Sequence, residues 1–474
     1  MNFVDSLYRK VNLNSLAFVD GQGSLTYDNV FKAAAGYRTY LSNNKVNAGD
    51  YIVVAIQNTR AVPIVFYACM LGGFVPIFMD SADAAGIQRV KDITRAKFII
   101  SNEYGDNFIA FPETSILAHE SNEWVPYSWD ANQCAFMLCT SATTGAFKLV
   151  KHRHSTLFKI AKSHIGLYGI SSDSVIMGTP KLSFGYGLAV NMVMSAWAGA
   201  TSIVYDVGIS AHAIFNYINS NKVTHFFANP TVYKVLLQSN HNTFTKSLLY
   251  CISSSEPLPD VLIDKFKNKF NITLLNAYGS SETITNCCVI DNTESAGNSS
   301  IGYPIEGYQF KIVDDNFNLV EIGQPGVLMI QTDMISDGYY GTDENFYNGW
   351  YYTNDICYKD LNGEYHFVNR KNQYVKIAST WTSASEIENL VLKVNGVKDV
   401  TVAFDTNEHG LTEAVAYVTV ETDLKPHEIR AQLVKTAASH LVPKKVHVVN
   451  ELPRTARNKR IFNNATLEKL LDVR

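Results

Sequence analysis

Residues 223–279 contain three short β-rich runs, VTHFFAN (223–229), LLYCISS (248–254) and ITLLNAYG (272–279), with helical segments between them. Four similar runs precede them along the chain: YIVVAI (51–56), KFIIS (97–101), SVIMGT (174–179) and ATSIVYD (200–206). Apolar strands that alternate with helices are typical of parallel sheets covered on both faces. The sequence therefore predicts an α/β fold for most of the chain.

The pattern changes within residues 300–370. Here GYQFKIVD (307–314), PGVLMIQ (325–331) and GEYHFVN (363–369) are separated by turns rich in Gly, Asn and Asp. Short strands with such turns predict a small antiparallel β unit. After Arg370 we expect a separate α+β unit, in which the strands VTVAFD and EAVAYVTV lie between two helices and KKVHVV follows the second helix.

The two helices of this last unit are predicted from apolar spacing and end signals. The first follows Ile387, Leu390, Val391 and Val394, with Ser383 or Ser385 as N-cap and Gly396 as C-terminal stop. The second is predicted to pass through Ile429, Leu433, Ala437 and Leu441 and to stop at Pro443.

The composition excludes several classes of protein. The chain has 474 residues, of which 46% are hydrophobic and 18% charged, so it is globular with material for a large core. Forty Lys and Arg against 44 Asp and Glu lack the basic excess of a nucleic-acid-binding protein. Seven cysteines without a CxxC pair indicate reduced thiols. No signal peptide is visible, and we expect a cytoplasmic location.

One stretch raises the question of a membrane span. Residues 61–79 (AVPIVFYACMLGGFVPIFM) carry no charge and approach the ~20 residues that cross a bilayer. The Gly72-Gly73 pair and Pro76 favour instead a buried helix, a glycine turn and a short buried strand. We therefore expect no membrane partner.

A candidate phosphate-binding loop lies in LCTSATTGAFKLVKHRH (138–154). Lys148 follows Gly145 by three positions, and hydroxyl residues surround that glycine: Thr140, Ser141, Thr143 and Thr144. Backbone N–H groups, hydroxyls and a lysine in one turn suit a polyphosphate. The loop is not a Walker A motif, and a Ser/Thr cluster taken alone is more often a solvated loop.

Other catalytic patterns are missing from the sequence. There is no GxSxG or HExxH motif, and the GYG at 185–187 lacks the third glycine of a dinucleotide loop. His152 and His154 have no cysteine partner at zinc spacing.

Five motifs in a fixed order resemble the adenylate-forming superfamily of acyl- and aryl-CoA ligases, peptide-synthetase adenylation domains and luciferases. The loop above resembles [Y/F]TSGTTGxPKG, and NAYGSSE (276–282) resembles YGxTE. GWYYTND (349–355) is similar to WxxTGD, NRKNQYVK (369–376) to GRxxDxxK, and ELPRTARNKR (451–460) to LPRTxxGKxxR. The resemblance covers essentially the whole chain.

The resemblance implies two domains. Residues 1–370 would form a large N-terminal domain of mainly parallel sheets flanked by helices, with a β-rich subunit at about 300–370, that binds nucleotide and acid. Residues 371–474 would form a small mobile α+β domain that carries the catalytic lysine. Asn372 would be the hinge between them.

The resemblance also implies a substrate class. KLSFGYGLAVN (181–191), ISSSEPLP (252–259) and VKIASTWTSASEIE (375–388) look most like benzoate-type CoA ligases, which points to an aromatic carboxylic acid. The residues that would line the acid pocket are Phe184, Tyr186, Gly187 and Thr285. An ordinary aromatic and glycine-rich core is the alternative for these positions.

Roles for charged residues follow from the same resemblance. Glu282 would bind Mg²⁺, Lys459 would be the catalytic lysine of adenylation, and Lys376 would face the site during thioester formation. Asp355, assisted by Arg370, would accept hydrogen bonds from both ribose hydroxyls of ATP or AMP. The expected adenine wall and its neighbours are Ser255, Glu256, Pro257, Ala277, Tyr278, Gly279 and Ser281, with Tyr278 stacked on the base.

Several glycines of the family pattern are replaced, namely by Ala142, Leu149, Ser255, Asn354, Asn369, Ser379 and Asn458. A replacement costs ~1 kcal/mol or more where φ is positive, although Asn tolerates such backbone better than most residues. We expect Ala142 to press on the phosphates and Ser379 on the pantetheine route.

Two readings of function are weighed. The first is an ATP- and Mg²⁺-dependent ligase that joins a small carboxylic acid to CoA or to the phosphopantetheine of an acyl carrier protein. The second is a degenerate member of the family that binds or processes an acyl-phosphopantetheine or carrier-protein ligand without adenylation. The replaced glycines are the reason for considering it.

Overall fold

The computed structural model describes residues 1–101, 108–110, 121–140, 148–241, 243–289, 300–342, 344–371, 374–377, 380–407, 411–421, 423–453 and 464–472. The first strands in chain order are β1 (Leu16–Asp20), β2 (Gly23–Thr26), β3 (Tyr51–Ala55), β4 (Val75–Phe78), β5 (Phe98–Ser101), β6 (Phe108–Ala110), β7 (Cys134–Cys139), β8 (Leu149–Arg153), β9 (Val175–Gly178), β10 (Thr201–Val204), β11 (His225–Ala228), β12 (Tyr250–Ser253) and β13 (Leu274–Gly279).

The later strands are β14 (Asn286–Val289), β15 (Ser300–Pro304), β16 (Gln309–Val313), β17 (Gly326–Gln331), β18 (Phe346–Tyr347), β19 (Trp350–Lys359), β20 (Tyr365–Arg370), β21 (Tyr374–Ile377), β22 (Thr380–Ser383), β23 (Val397–Thr406), β24 (Thr412–Val420) and β25 (Lys445–Val448). The α-helices are Phe3–Lys10, Tyr27–Asn43, Ala61–Gly72, Ala84–Thr94, His154–Tyr168, Gly185–Leu188, Ser195–Ala198, Ala211–Ser220, Pro230–Leu237, Asp260–Phe270, Ala384–Val391, Pro426–Thr436 and Asn464–Leu471.

Two large sheets contain the strands predicted from the apolar runs. One has the order β6-β5-β3-β4-β7-β8, and it is parallel except at the β7–β8 edge. In the other, β1, β10, β9, β11, β12 and β13 are neighbours and run parallel. The predicted α/β architecture is confirmed, since helices follow most of these strands along the chain.

The predicted antiparallel strands extend the second sheet. β13 pairs antiparallel with β14, and the ladder continues through β15, β20, β19 and β17 to β16. The antiparallel character of this region is confirmed, and its hydrogen bonding is continuous with that of the parallel strands. This continuity brings residues 278–289 beside residues 350–370.

Residues 61–79 form the buried helix, glycine turn and strand that the sequence favours. The helix Ala61–Gly72 ends at Gly73, whose φ of 73° is in the left-handed region, and β4 follows. No helix of the described part of the chain is long and apolar enough to cross a membrane.

The last hundred residues form two smaller sheets with their own apolar cluster. β21 pairs with β22, and β23-β24-β25 form a three-stranded sheet. The helix Ala384–Val391 begins as predicted at Ser383, whose side chain accepts a hydrogen bond from the Glu386 N–H at 3.1 Å. Most buried apolar residues between Ile377 and Val442 pack together as one cluster, and residues of β23 and β24 pack with Leu452 and Leu467 in a second.

The second helix of this region is shorter than predicted. It covers Pro426–Thr436, Ala437 has extended backbone (φ -123°, ψ 154°), and Ser439–Leu441 form a 3₁₀ turn. The prediction that it continues through Ala437 and Leu441 is therefore wrong. The apolar side chains keep a helical spacing, but the chain already turns there toward β25.

Contacts between the residues after 371 and the preceding part of the chain include an ion pair and a hydrogen bond. Lys234 Nζ lies 2.6 Å from Asp399 Oδ1, with both side chains largely buried. Ser385 Oγ donates a hydrogen bond to the Val368 carbonyl at 2.8 Å.

The buried histidine His152 can be used to test the packing around the six-stranded sheet. It lies on β8, fully buried and stacked on Phe136 with ring centroids 5.0 Å apart. Burial lowers the pKa of His152 to about 3. The unfolded chain takes up this proton near pH 6.5, so acidification favours unfolding, and the lost stability amounts to about 2 kcal/mol between pH 7 and pH 5.

We expect His152→Phe to reduce the loss of stability on acidification by about that amount, measured by urea unfolding at pH 7 and pH 5. His427→Gln is the matched control, because His427 is exposed. Equal pH slopes for His152→Phe and the wild type would contradict a buried neutral imidazole.

Candidate active site

The site is organised by residues 336–340, which run beside the edge strand β8. The Lys151 N–H donates to the Gly338 carbonyl at 2.9 Å, and the N–H groups of Asp337 and Tyr340 donate to the carbonyls of Lys151 and Leu149, both at 2.8 Å. Tyr339 lies between these bonded residues. The bonds therefore hold it beside β8, the strand that directly follows the predicted phosphate loop.

Glu282 is a buried carboxylate at the centre of the site, with 7% of the residue exposed. The hydroxyl of Tyr339 donates to Glu282 Oε1 at 2.7 Å, and the Glu282 carbonyl accepts from the Ser336 N–H at 2.8 Å. A carboxylate oxygen is a ligand that Mg²⁺ prefers. Glu282 therefore fits its predicted role, with Oε2 accepting no hydrogen bond from any described residue.

Lys148 lies at the end of the predicted phosphate loop and close to Tyr339, the residue that donates a hydrogen bond to Glu282. Its Nζ is 2.8 Å from Glu344 Oε2 and 4.8 Å from the centroid of the Tyr339 ring. The N–H and Oγ1 of Thr140 both donate to the Lys148 carbonyl, at 2.9 and 3.3 Å, and so close the base of the loop. An ion pair as exposed as Lys148–Glu344 contributes about 0–1 kcal/mol and is easily replaced by a ligand anion.

Asp355 forms a second buried carboxylate, 2% exposed, on β19 directly opposite Arg370 on β20. Arg370 Nε lies 2.9 Å from Oδ1, and the Tyr278 hydroxyl donates to Oδ2. Burial raises the pKa of Asp355, and the positive charge of Arg370 and the Tyr278 hydrogen bond oppose that effect.

Oδ1 of Asp355 has spare capacity to accept a hydrogen bond. It is buried, and despite its ion contact with Arg370 it accepts no well-directed hydrogen bond from the described residues. A carboxylate oxygen whose hydrogen-bonding capacity is not filled can accept from a ribose hydroxyl, which is a donor. The chemistry agrees with the predicted nucleotide role of Asp355.

Tyr278 takes a position that the motif did not indicate. Its hydroxyl binds Asp355, and its ring lies 6.4 Å from that of Phe367 at an interplanar angle of 34°. The burial of the hydroxyl and the neighbouring charge of Asp355 raise the pKa of Tyr278, so it acts as a donor. The stacking of this ring on adenine stays a prediction.

The other predicted wall residues border the same loops. Ser255 and Pro257 are exposed, while Glu256 accepts from Asn229 Nδ2 at 3.1 Å and from Thr231 Oγ1 at 2.9 Å. The carbonyl of half-buried Ser281 accepts from the Ile284 N–H at 3.2 Å.

Two small residues of β13 complete that wall. Ala277 is buried, with 3% exposed, and it lies on β13 opposite Val289. A Cβ at Gly279 would lie 2.1 Å from the Thr285 carbonyl, so only glycine fits there.

The predicted acid-pocket residues differ in whether their side chains already have contacts within the protein. Tyr186 donates to the Ile252 carbonyl at 3.4 Å, and a Cβ at Gly187 would lie 2.3 Å from the Lys181 carbonyl, so both have packing roles. Phe184 is half-buried at the start of the helix that continues as a π-helix over Ala189–Met194. Thr285 is 2% exposed and its Oγ1 has no partner among the described residues. Thr285 is thus the member with a spare polar atom.

Some predicted residues cannot be placed. Those outside the described residues are Ser141, Thr143, Thr144, Gly145, Asn372 and Lys459. Lys376 is described and exposed on β21, opposite Trp381 on β22.

The replaced glycines divide into two groups. Ser255 (φ 76°) and Asn354 (φ 60°) have left-handed backbone, whereas Leu149 and Asn369 do not. Ala142, Ser379 and Asn458 lie outside the described residues. The conformational cost of losing glycine therefore falls on Ser255 more than on Asn354, because Asn adopts this region more readily.

A further group of possible metal ligands is Asp360, Glu364 and His366, whose ligand atoms lie within 4.8 Å of one another. These side chains close the β19–β20 hairpin. Asp360 Oδ1 accepts from the N–H groups of Asn362 (2.9 Å) and Glu364 (2.8 Å), and Asp360 Oδ2 contacts His366 Nε2 at 3.3 Å. Their contacts explain the turn without a metal ion.

Sequence reasoning missed Tyr339 and Glu344. Both lie in ISDGYYGTDENF (335–346), which has the glycines and acidic residues of an ordinary turn. The only available signal was an aromatic pair, Tyr339-Tyr340, within that turn.

A buried acceptor suited to ribose, a buried carboxylate suited to Mg²⁺ and a nearby lysine at a loop end define a nucleotide-binding enzyme. Two family models match the chain, "AMP-binding enzyme" over residues 8–340 and "AMP-binding enzyme C-terminal domain" over residues 386–459. The chain belongs to the AMP-binding enzyme family.

Curated and solved proteins agree with this assignment. The chain is 26% identical to the 4-hydroxybenzoate–CoA/benzoate–CoA ligase of Rhodopseudomonas palustris over 97% of this chain and 92% of that protein. Its fold matches the anthranilate CoA ligase AuaEII in complex with anthranoyl-AMP (TM-score 0.91, 20% identity, 99% and 97% of the two chains). It also matches the O-succinylbenzoate-CoA synthetase MenE of Bacillus subtilis with ATP and magnesium (TM-score 0.88, 20% identity, 99% of each chain).

The left-handed backbone of Ser255, in the predicted adenine wall, can be tested by substitution. We expect Ser255→Gly to stabilise the protein by about 0.5–1 kcal/mol, because glycine adopts a φ of 76° without strain. The measurement is urea unfolding. Ser254→Gly is the matched control and should destabilise, since Ser254 lacks a positive φ and its Oγ donates to Asn286 Oδ1 at 2.7 Å. A destabilised Ser255→Gly would contradict the strain argument.

Proposed function

We propose that this protein is an AMP-forming acid–thiol ligase that converts an aromatic carboxylic acid to its adenylate and transfers the acyl group to CoA. The observation that carries the proposal is the pair of buried carboxylates, Asp355 and Glu282, each with one oxygen still available to a ligand. One suits a ribose hydroxyl and the other a magnesium ion.

The nature of the acid and the thiol is supported by the relatives. The Rhodopseudomonas protein is named for 4-hydroxybenzoate, benzoate and CoA, and AuaEII for anthranilate and CoA. All three acids join a carboxylate to a flat ring. In this chain, Phe184 and Thr285 would contribute one apolar face and one polar atom to such a pocket.

The first half-reaction follows from the charges of the site. A carboxylate oxygen of the acid attacks the α-phosphate of ATP, the new O–P bond forms, and pyrophosphate leaves. Asp355 and Arg370 hold the ribose, and Lys148 exchanges Glu344 for phosphate oxygens. Lys459 would stabilise the charge at the α-phosphate, and Mg²⁺ held by Glu282 would supply further charge neutralisation.

The second half-reaction requires the thiol to reach the adenylate. We propose that residues 371–474 reorient about Asn372 relative to residues 1–370, withdraw Lys459 and present Lys376. The separate apolar cluster within residues 377–442 supports an independently packed C-terminal unit. Such a movement would break two of the side-chain links between the parts, Lys234–Asp399 and Ser385–Val368. Lys371, next to the proposed hinge, also contacts Asp315 at 2.6 Å and Tyr352 at 3.0 Å.

The test is acid-dependent release of pyrophosphate from ATP, followed by thioester analysis with CoA. The acids compared are benzoate, 4-hydroxybenzoate, anthranilate and 2-succinylbenzoate, with hexanoate as a non-aromatic control. We expect an aromatic acid to give both products, and Asp355→Asn to give neither. Asp92→Asn, a change at an exposed carboxylate on the helix Ala84–Thr94, is the control.

Each contrary outcome has a meaning. Transfer only to a phosphopantetheinylated carrier protein would change the thiol and keep the ligase. Binding of Mg²⁺-ATP or of an acyl-phosphopantetheine without pyrophosphate release for any acid would favour the alternative of a degenerate binding protein, which the strained Ser255 motivates.

The two lysines should separate the half-reactions. Lys459→Ala should slow pyrophosphate release by about 10²- to 10³-fold, because it removes one charged donor at the phosphate. Lys376→Ala should leave pyrophosphate release unchanged and slow thioester formation. Single-turnover assays of both steps make the measurement, and Lys469→Ala, on the last helix, is the control. Equal losses of both steps in Lys376→Ala would contradict the reorientation.

A further inference from the structure

We propose that Tyr339 is a positioning residue that sets both the magnesium-binding carboxylate of Glu282 and the phosphate-binding ammonium of Lys148, an inference that rests on the proposed function. The hydroxyl of Tyr339 lies 2.7 Å from Glu282 Oε1. Its ring lies 4.8 Å from Lys148 Nζ. One side chain thus contacts two groups that ATP binding requires.

Tyr339 is itself held rigidly. Its backbone forms β-bridges with Val150 and Thr342, and its residue surface is 3% exposed. The edge of its ring packs against Phe346, with centroids 5.8 Å apart at 72°. A side chain fixed from several directions can hold a ligand group in one geometry, which is what preorganised binding of a metal and a polyphosphate needs.

The hydrogen bond has a fixed direction. Glu282 as a carboxylate only accepts hydrogen bonds, so the phenol must donate to it. Oε1 is occupied in this way and Oε2 stays available to a cation. Without the phenol, Glu282 loses the one side-chain hydrogen bond that the described residues give it, so its carboxylate is less firmly oriented.

The ring has a separate effect on Lys148. Glu344 also holds this ammonium, at 2.8 Å, but its side chain is 57% exposed and it occupies the place of an anion. When phosphate oxygens replace Glu344, the aromatic face still attracts the ammonium. The hydroxyl and the ring of Tyr339 therefore have effects that two substitutions can separate.

Tyr339→Phe removes the hydroxyl and keeps the ring. We expect the Mg²⁺ concentration that gives half-maximal binding of a non-hydrolysable ATP analogue to rise about tenfold or more, as for loss of a hydrogen bond to a charged group. The Kd of AMP without Mg²⁺ should stay within about twofold, because AMP lacks the β- and γ-phosphates. Tyr339→Leu should in addition weaken binding of the analogue without Mg²⁺. Calorimetric titration measures all three quantities without any acid.

Tyr340→Phe is the matched control. This neighbouring tyrosine packs its ring edge-on against Tyr51 at 5.9 Å, and no described residue accepts a hydrogen bond from its hydroxyl. An unchanged Mg²⁺ dependence in Tyr339→Phe would overturn the proposal, and so would a parallel loss of AMP affinity, which indicates a merely structural role. If the wild type binds neither AMP nor the analogue, the proposed function itself fails, and the inference falls with it.

Discussion

The site depends on the burial of two carboxylates that must each be paired. A buried ionised group is tolerated only with hydrogen bonds or an opposite charge nearby. Asp355 has Arg370 and Tyr278, and Glu282 has Tyr339. These partners come from separate segments of the chain. The extension of the parallel sheet by antiparallel strands brings together Tyr278, Asp355 and Arg370, and the hydrogen bonds of residues 336–340 with β8 place Tyr339.

Much of the fold was predictable from sequence because doubly buried strands are apolar throughout. The same reasoning placed the turn at Gly73. Pairing across the sheet was not predictable: Asp355 faces Arg370 only because the β19–β20 register shifts between Ile356 and Cys357. The end of the helix at Thr436 was also missed, since apolar spacing continues beyond it while the backbone does not.

The candidate site was predicted in part, and the reasons differ by residue. Glu282, Asp355 and Arg370 lie in local motifs, so their identity is visible in the sequence, and the structure adds the partners that each one has. Tyr339 contributes through its hydrogen bond to Glu282, which is 57 residues away in the chain. No local sequence pattern indicates such a contact. The glycine replacements could be found, but only backbone angles separate Ser255 and Asn354 from Leu149 and Asn369.

The Lys234–Asp399 ion pair has a consequence for the equilibrium of the proposed reorientation. It joins the helix Pro230–Leu237 to β23, and any rotation of the C-terminal unit must separate these charges. Salt screens exposed charges that lie farther apart than about 8–10 Å, and it screens a largely buried pair much less. If the proposed reorientation occurs, the equilibrium between its two orientations would therefore shift with ionic strength through this one contact.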